Sequence, residues 1–372
     1  MRHGISGALV TMKSRVHNPL AIALLLILSI AACKKDDNNP STPGTGTGTG
    51  PGTTIVRTED VHAVGRINYI ATYWKNDSAI TLGKAGNSSD ATAMALLGSD
   101  VYAVGYEAGG NGSYTATLWK NGVASTIGAG GRDTRAHGIT IDGSDIYIAG
   151  QERNAKGYWT AIYWKNGNPV RLTPDSENAS ATAIALKAGE VYVIGERSSD
   201  TRTVYTCYWK GGELHTLSDS SGYAAEQAIT VSGGDIHATW SESYTSTGKL
   251  RTWYSKNFGT PTLIDDGSGD VHGYGIAASA DGVWIAGSGP AADGSAIAAK
   301  YWKDGKASFL SNGPRSAFAS CAALYGNDVY AGGWMETANA SVATYWKNGK
   351  AVSLSDGAND ALLRALIVVK RN

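Results

Sequence analysis

The sequence predicts an all-β chain folded as a seven-bladed β-propeller with four antiparallel strands per blade, and three observations carry that prediction. A self-similar unit begins at Val61, Val101, Ile146, Val191, Ile236, Val283 and Val329, at spacings of 40 to 47 residues, the range of propellers and solenoids. Each unit holds four short β-type runs and no helical periodicity. In the third unit these are IYIAG (146–150), TAIYWKNG (160–167), PVRL (169–172) and ATAIAL (181–186). The ends are complementary: ALLRALIVV (361–369) matches the ATAIAL run with no second strand after it, whereas the first unit opens at its second strand. The C-terminal strand should therefore complete the N-terminal blade and remove the free sheet edges.

The turns agree with this reading. Asn121-Gly122, Asn166-Gly167 and Asn348-Gly349, with Gly211-Gly212 and Asp304-Gly305 as variants, suit tight hairpins whose central residues need positive φ. Tyr73-Trp74, Leu118-Trp119, Tyr163-Trp164, Tyr208-Trp209, Tyr301-Trp302 and Tyr345-Trp346 recur just before those turns. Neighbouring strand residues point to opposite faces, so both faces must be apolar there, as in a blade sandwiched between two others. These six tryptophans are read as structural. The unit starting at Ile236 deviates: Ser255 stands for the repeated Trp, Trp240 for the Gly and Phe258 for the turn Gly. Trp253 is expected to refill the lost volume.

Residues 1–33 read as a targeting segment. Lys13, Arg15 and His17 precede an apolar run from Pro19 to Ala32, and Met12 opens a more ordinary signal than Met1 does. That run is shorter than the roughly 20 residues of a membrane span. Ile30-Ala31-Ala32-Cys33 resembles the bacterial lipobox, which implies lipidation of Cys33 and attachment to a membrane. Lys34-Lys35-Asp36-Asp37 resembles the tag that sends some Gram-negative lipoproteins to the cell surface, so an outer-membrane anchor with surface display is expected. Residues 34–54, rich in Gly, Thr and Pro, form a flexible tether, and residues 55–372 the propeller. The Tyr-x-x-Gly strand followed by an aromatic strand resembles kelch and related propellers over 55–372. It departs from kelch in having the double glycine only at Gly332-Gly333 and the Trp directly after the Tyr. The resemblance implies blade topology and no function, because propellers host unrelated activities.

Beyond residue 32 the chain carries 29 basic and 32 acidic residues, a balance without the basic stripe that nucleic acid requires. Cys207 and Cys321 fall in strand runs of different units and are read as free and buried. Short uniform turns join strands one to two and three to four, which puts the variable loops together on the opposite face of the disc, where binding residues concentrate. Entering the innermost strands, Thr92, His137, Thr182, Gln227, Tyr274, Ser320 and Arg364 are expected to ring the channel mouth, with Glu107, Glu152 and Glu242 just outside. Trp159, Trp240 and Trp334 lie in or beside the variable loops and are candidates for stacking on a sugar.

Catalysis has little support. His62, His137, His215, His237 and His272 form no metal-type pair, and His62 and His237 occupy a core Tyr slot. No G-x-S-x-G elbow is present. Glu152 with Glu196, or His137 with Glu107, are acid–base pairs that only folding could assemble. No cofactor, metal site or catalytic residue is assigned. The expectation is a membrane-anchored binding propeller for a glycan or protein partner, with a polysaccharide hydrolase or lyase and a structural module of an outer-membrane complex as alternatives.

Overall fold

The computed structural model describes residues 58–371 apart from 110–111, 129–131, 199–202, 219–221, 245–247 and 265–269. The targeting segment, Cys33 and the tether lie outside the described residues. Within them, twenty-eight strands form seven four-stranded antiparallel sheets, one per repeat, and there is no helix. Blades are numbered here by repeat. The innermost strands are Ala361–Lys370 in blade 1, then Ser89–Leu97, Thr134–Asp142, Asn178–Lys187, Gly222–Ser232, His272–Ser279 and Ala317–Tyr325 in blades 2 to 7. The expected closure is present: Ala361–Lys370 pairs with Glu59–Ile67. The seam between blades 7 and 1 is also held electrostatically, since Lys347 and Tyr330 both donate to Glu59 Oε1, at 2.6 and 3.2 Å.

The recurrent Lys-Asn-Gly explains one end of the disc. Asn166 (φ 50°) and Gly167 (φ 81°) make the tight turn. The Asn166 side chain then accepts from the Ile146 amide at 2.8 Å and donates to Asp145 at 2.8 Å. Lys165 reaches the same carboxylate at 2.8 Å while lying 5.1 Å from the centre of the Tyr147 ring. The same lock recurs at Asn121 with Asp100 and at Asn348 with Asp328. Each lock ties two neighbouring hairpins of one blade together. Asn166→Ala removes both side-chain bonds and is expected to cost about 1–2 kcal/mol, read as a lowered urea midpoint at unchanged slope.

The six repeated tryptophans are at most 1% exposed. Each has a glycine partner, which the bulge makes obligatory. In six blades the innermost strand carries one β-bulge opposite that glycine. A Cβ on Gly105 would stand 1.9 Å from the Asp90 carbonyl oxygen, and one on Gly150 would stand 2.1 Å from the Arg135 oxygen and 2.7 Å from the Trp164 ring. Glycine thus admits both the bulged backbone and the indole.

Blade 5 solves the same packing problem from the opposite strand. Trp240, at the glycine position, is 1% exposed, and Ser255, at the tryptophan position, is equally buried. Ala238 pairs with Ser255 and Trp240 with Trp253 in register, so large and small residues have exchanged strands on one face. Trp240, not the half-buried Trp253, replaces the missing indole. His62 and His237 are core residues as expected, each 7% exposed and sharing a hydrogen bond with a tyrosine hydroxyl, Tyr73 and Tyr254. Cys207 and Cys321 are free thiols; burial raises both, Cys321 to about 12. Cys207 is buried and Cys321 partly so.

Candidate functional site

The bulges define the loop end of the channel. The unpaired residue at each is Arg364, Thr92, His137, Thr182, Tyr274 and Ser320 in six blades, as the sequence alignment places them. In blade 5 it is Glu226, not Gln227. The cause is Trp240: without a glycine at that place the bulge cannot form opposite it, and it moves one residue toward the loops, between Ala225 and Gln227. Glu226 adopts φ 40° to make the step, a left-handed conformation that costs a non-glycine residue about 1 kcal/mol or more.

Three members of this ring are used by the scaffold. Thr92 donates to the Val104 and Ala136 carbonyls at 3.1 and 2.9 Å, and Ser320 to those of Gly332 and Leu363 at 3.1 and 2.6 Å, stitching each blade to the next. Thr182 donates to the Ile194 carbonyl at 2.9 Å. The larger members, together with residues two places before the bulge and one place after the glycine, line the mouth.

One side of the mouth is cationic and aromatic. Asp90, 1% exposed, accepts from Arg66 and Arg364 on one oxygen, each at 3.1 Å. The Arg135 guanidinium lies 5.5, 4.6 and 5.2 Å from the ring centres of Tyr106, Tyr114 and Trp159. Trp334 stacks on Phe318 at 4.8 Å and carries Arg364 at 6.0 Å. Burial, with Arg135 as a second cause, holds the His137 imidazole down at about 4, so it is neutral at physiological pH.

The other side is acidic. Glu196, one residue past Gly195, lies within electrostatic reach of Glu226 of the following blade, and Glu226 bonds His272 Nδ1 at 3.1 Å. Burial first, then the Glu226 charge, push the Glu196 carboxyl up to about 7. Burial pulls His272 down, but Glu226 and Asp270 outweigh it and the net shift is upward. His272 stacks on Tyr274 at 5.6 Å. Burial, then Glu226, raises the Tyr274 hydroxyl. Because the Glu196 carboxyl is raised from 4.5 to about 7, its burial penalty is absent below about pH 4.5 and grows as pH rises through 7. Glu196→Gln should therefore leave stability near pH 4.5 unchanged and raise it at pH 8 by up to about 3 kcal/mol, measured as urea midpoints across that range.

Several expected contacts lie elsewhere. Glu107, Glu152 and Glu242 share one register position two residues past the glycine slot, on the face that carries the indole. Glu107 accepts from the Lys84 amide at 3.1 Å, and Glu152 is closed by Arg132 and Arg171 at 3.4 and 3.1 Å, so both brace the connection that enters their blade from the preceding one, and Glu152 also its own outer strand. Glu242, 6% exposed, accepts the Trp240 indole N–H at 2.8 Å. Trp240 itself is core. Trp159 and Trp334 do reach the mouth, as partners of Arg135 and Arg364. Gln227 is 8% exposed, and its amide nitrogen lies beside Glu196 without a well-formed hydrogen bond. Sequence reasoning missed Arg66, Asp90, Arg135 and Glu226 as site residues. Reading one residue beyond each repeated glycine finds Arg66, Tyr106 and Glu196.

No protein-family model matches the chain, and no curated protein does. Among solved structures it resembles an acylaminoacyl peptidase from Pyrococcus horikoshii, with 12% identity, a TM-score of 0.51, and 81% of this chain and 51% of that one covered. A puromycin-hydrolysing peptidase of Mycobacterium tuberculosis aligns at 11% identity and a TM-score of 0.40, over 71% of this chain and 53% of that one. The chain spans about half the length of these structures. At these identities the likeness concerns the propeller fold alone.

Proposed function

We propose that the chain is a membrane-anchored binding propeller, held by a lipid on Cys33 at the outer membrane and displayed at the cell surface, that takes a glycan or protein partner at the loop end of its channel. One observation supports this most. Among the described residues and outside the repeated indoles, most buried polar atoms without partners, including Asp90 Oδ1, His137 Nε2, Gln151 Nε2, Glu226 Oε2 and Gln227 Nε2, lie on the two inner strands that form the mouth, and Thr206 Oγ1, His215 Nε2 and Trp253 Nε1 lie on outer strands. Orphaned buried polar groups are costly and call for a partner, which a polar ligand supplies. The opposite end spends its side chains on the Lys-Asn-Gly locks.

A hydrolase acting at the same mouth is the second reading, favoured by the Glu196 carboxyl, which burial and then the Glu226 charge raise to about 7, where a general acid works best. Incubation of the chain with a panel of polysaccharides and peptides separates the two. Retention without product supports binding, product release supports the enzyme, and neither outcome leaves the structural-module alternative. Cys33→Ser should move the protein out of the membrane fraction, and protease treatment of intact cells should degrade the wild type; protection from protease contradicts surface display.

A further inference from the structure

Blade 1 has the shortest connection on the loop face. Two residues, 68 and 69, separate its strands Glu59–Ile67 and Ile70–Lys75, where blades 2 to 7 use four to six. Asn68 and Tyr69 turn the chain at φ 47° and 63°. Tight hairpins of this hand favour Asn-Gly, and glycine fills the second place at Asn121-Gly122, Asn166-Gly167 and Asn348-Gly349. A bulky side chain is strained there. Phe258, which shares the conformation at φ 55°, is stacked on Tyr208 at 3.7 Å. Tyr69 is instead 52% exposed. The turn is nonetheless pinned on both sides, since the Asn68 amide donates to the Asp360 carbonyl and the Ser89 amide to the Tyr69 carbonyl, each at 2.7 Å. An exposed aromatic ring is thus held in place by a turn that glycine would make without strain.

Beside that ring stand two arginines of the same blade. The Arg66 guanidinium lies 5.0 Å from the Tyr69 ring centre, and that of Arg364 lies 6.0 Å from Trp334, itself stacked on Phe318 at 4.8 Å. Both arginines donate to one oxygen of Asp90 at 3.1 Å; the Asp90 side chain is 2% exposed, those of Arg66 and Arg364 24 and 31%. Among the described residues, Asp90 is the one acid in ion-pair contact with either arginine. It aligns two guanidiniums while taking one of the five N–H donors of each, and the trio keeps a net positive charge. The segments that bound this corner, 67–70, 82–89, 336–341 and 354–361, are all described.

Each arginine therefore offers donors beside an aromatic face, in one corner bounded by blades 7, 1 and 2. A planar carboxylate matches the guanidinium fork, and a pyranose ring offers flat C–H faces to Tyr69 and Trp334. A sugar acid carries both. An acidic peptide offers the same charge without the flat ring.

Resting on the reading of the loop end as a ligand site, we propose that this corner is a subsite for an acidic glycan, with the carboxylate of a uronic acid bound by Arg66 and Arg364 and the sugar rings flanked by Tyr69 and Trp334.

The test is isothermal titration calorimetry on the full chain in detergent at one ionic strength. The probes are the trimers of galacturonate and of mannuronate, the methyl esters of both, and triglutamate. At least one uronate trimer should bind, and its ester and triglutamate should each bind at least tenfold more weakly. Arg364→Gln should weaken that trimer at least tenfold, and Lys306→Gln, which removes a positive charge from an exposed outer strand, should leave it unchanged. Tyr69→Gly should raise the urea midpoint, because glycine takes the turn without strain, and yet weaken the trimer at least fivefold, whereas Tyr69→Phe should keep the affinity. Equal binding of the ester, or full affinity in Arg364→Gln or in Tyr69→Gly, overturns the proposal. Triglutamate binding as tightly as the uronate assigns the carboxylate to a peptide and overturns the sugar acid. No binding of any probe also overturns it; the wider polysaccharide and peptide panel then decides separately whether the mouth binds at all.

Discussion

A chain ending at Asp360 is expected to lose cooperative folding. The missing strand is the inner wall of blade 1, and its Ala361, Leu363, Leu366 and Val368 are 0, 0, 5 and 7% exposed. Each large apolar side chain contributes about 1.5–3 kcal/mol by burial, against a net stability of about 5–15 kcal/mol for a whole domain. The loss also leaves the edge of Glu59–Ile67 unpaired along its nine residues, and a bare strand edge recruits other chains. The truncated protein should aggregate and show no sigmoidal thermal transition by circular dichroism, whereas a chain ending at Arg371 should melt like the full one. A soluble monomer with a sharp transition would mean that the ring does not depend on this closure.

The second large effect concerns the exchanged tryptophan. Trp240→Gly alone removes a fully buried indole diagonal to Ser255 and should cost about 4 kcal/mol, within the range of large-to-small core substitutions. Ser255→Trp alone forces a second indole into occupied space, at a cost of about 1–3 kcal/mol. Together they rebuild the arrangement of the other six blades, so the double variant should recover most of the loss. Urea unfolding of all four proteins should give a coupling of about 2 kcal/mol or more. Additive single effects would show that the two positions do not share one space.

Most of the fold was legible because the repeat encodes it redundantly. Hairpin glycines, the residue pair before them and the short strand links each specify four-stranded blades, and the unmatched ends specify the closure. The mouth was legible in part. Counting residues from the repeated turn locates six of the seven ring members, but counting fails at Glu226 because a bulge can slide by one residue when the opposing glycine is lost. The substitution that causes the slide, Trp240, was visible in the sequence; its consequence depends on backbone sterics across two strands. Glu107, Glu152 and Glu242 looked available because loop-proximal carboxylates usually are. Their register places them on the indole face, where the connections between blades, the outer-strand Arg171 and the Trp240 indole take them up. The clustering of Arg66 and Arg364 on Asp90 joins residues nearly a whole chain apart, and no local pattern announces it.

Which end of the disc receives a ligand is measured most directly by amide hydrogen exchange with and without a retained panel ligand. Slowed exchange should appear around the bulges at Glu226, Tyr274 and Arg364, with the turns at Asn121, Asn166 and Asn348 unchanged. Protection confined to those turns, with the bulges unaffected, would contradict it.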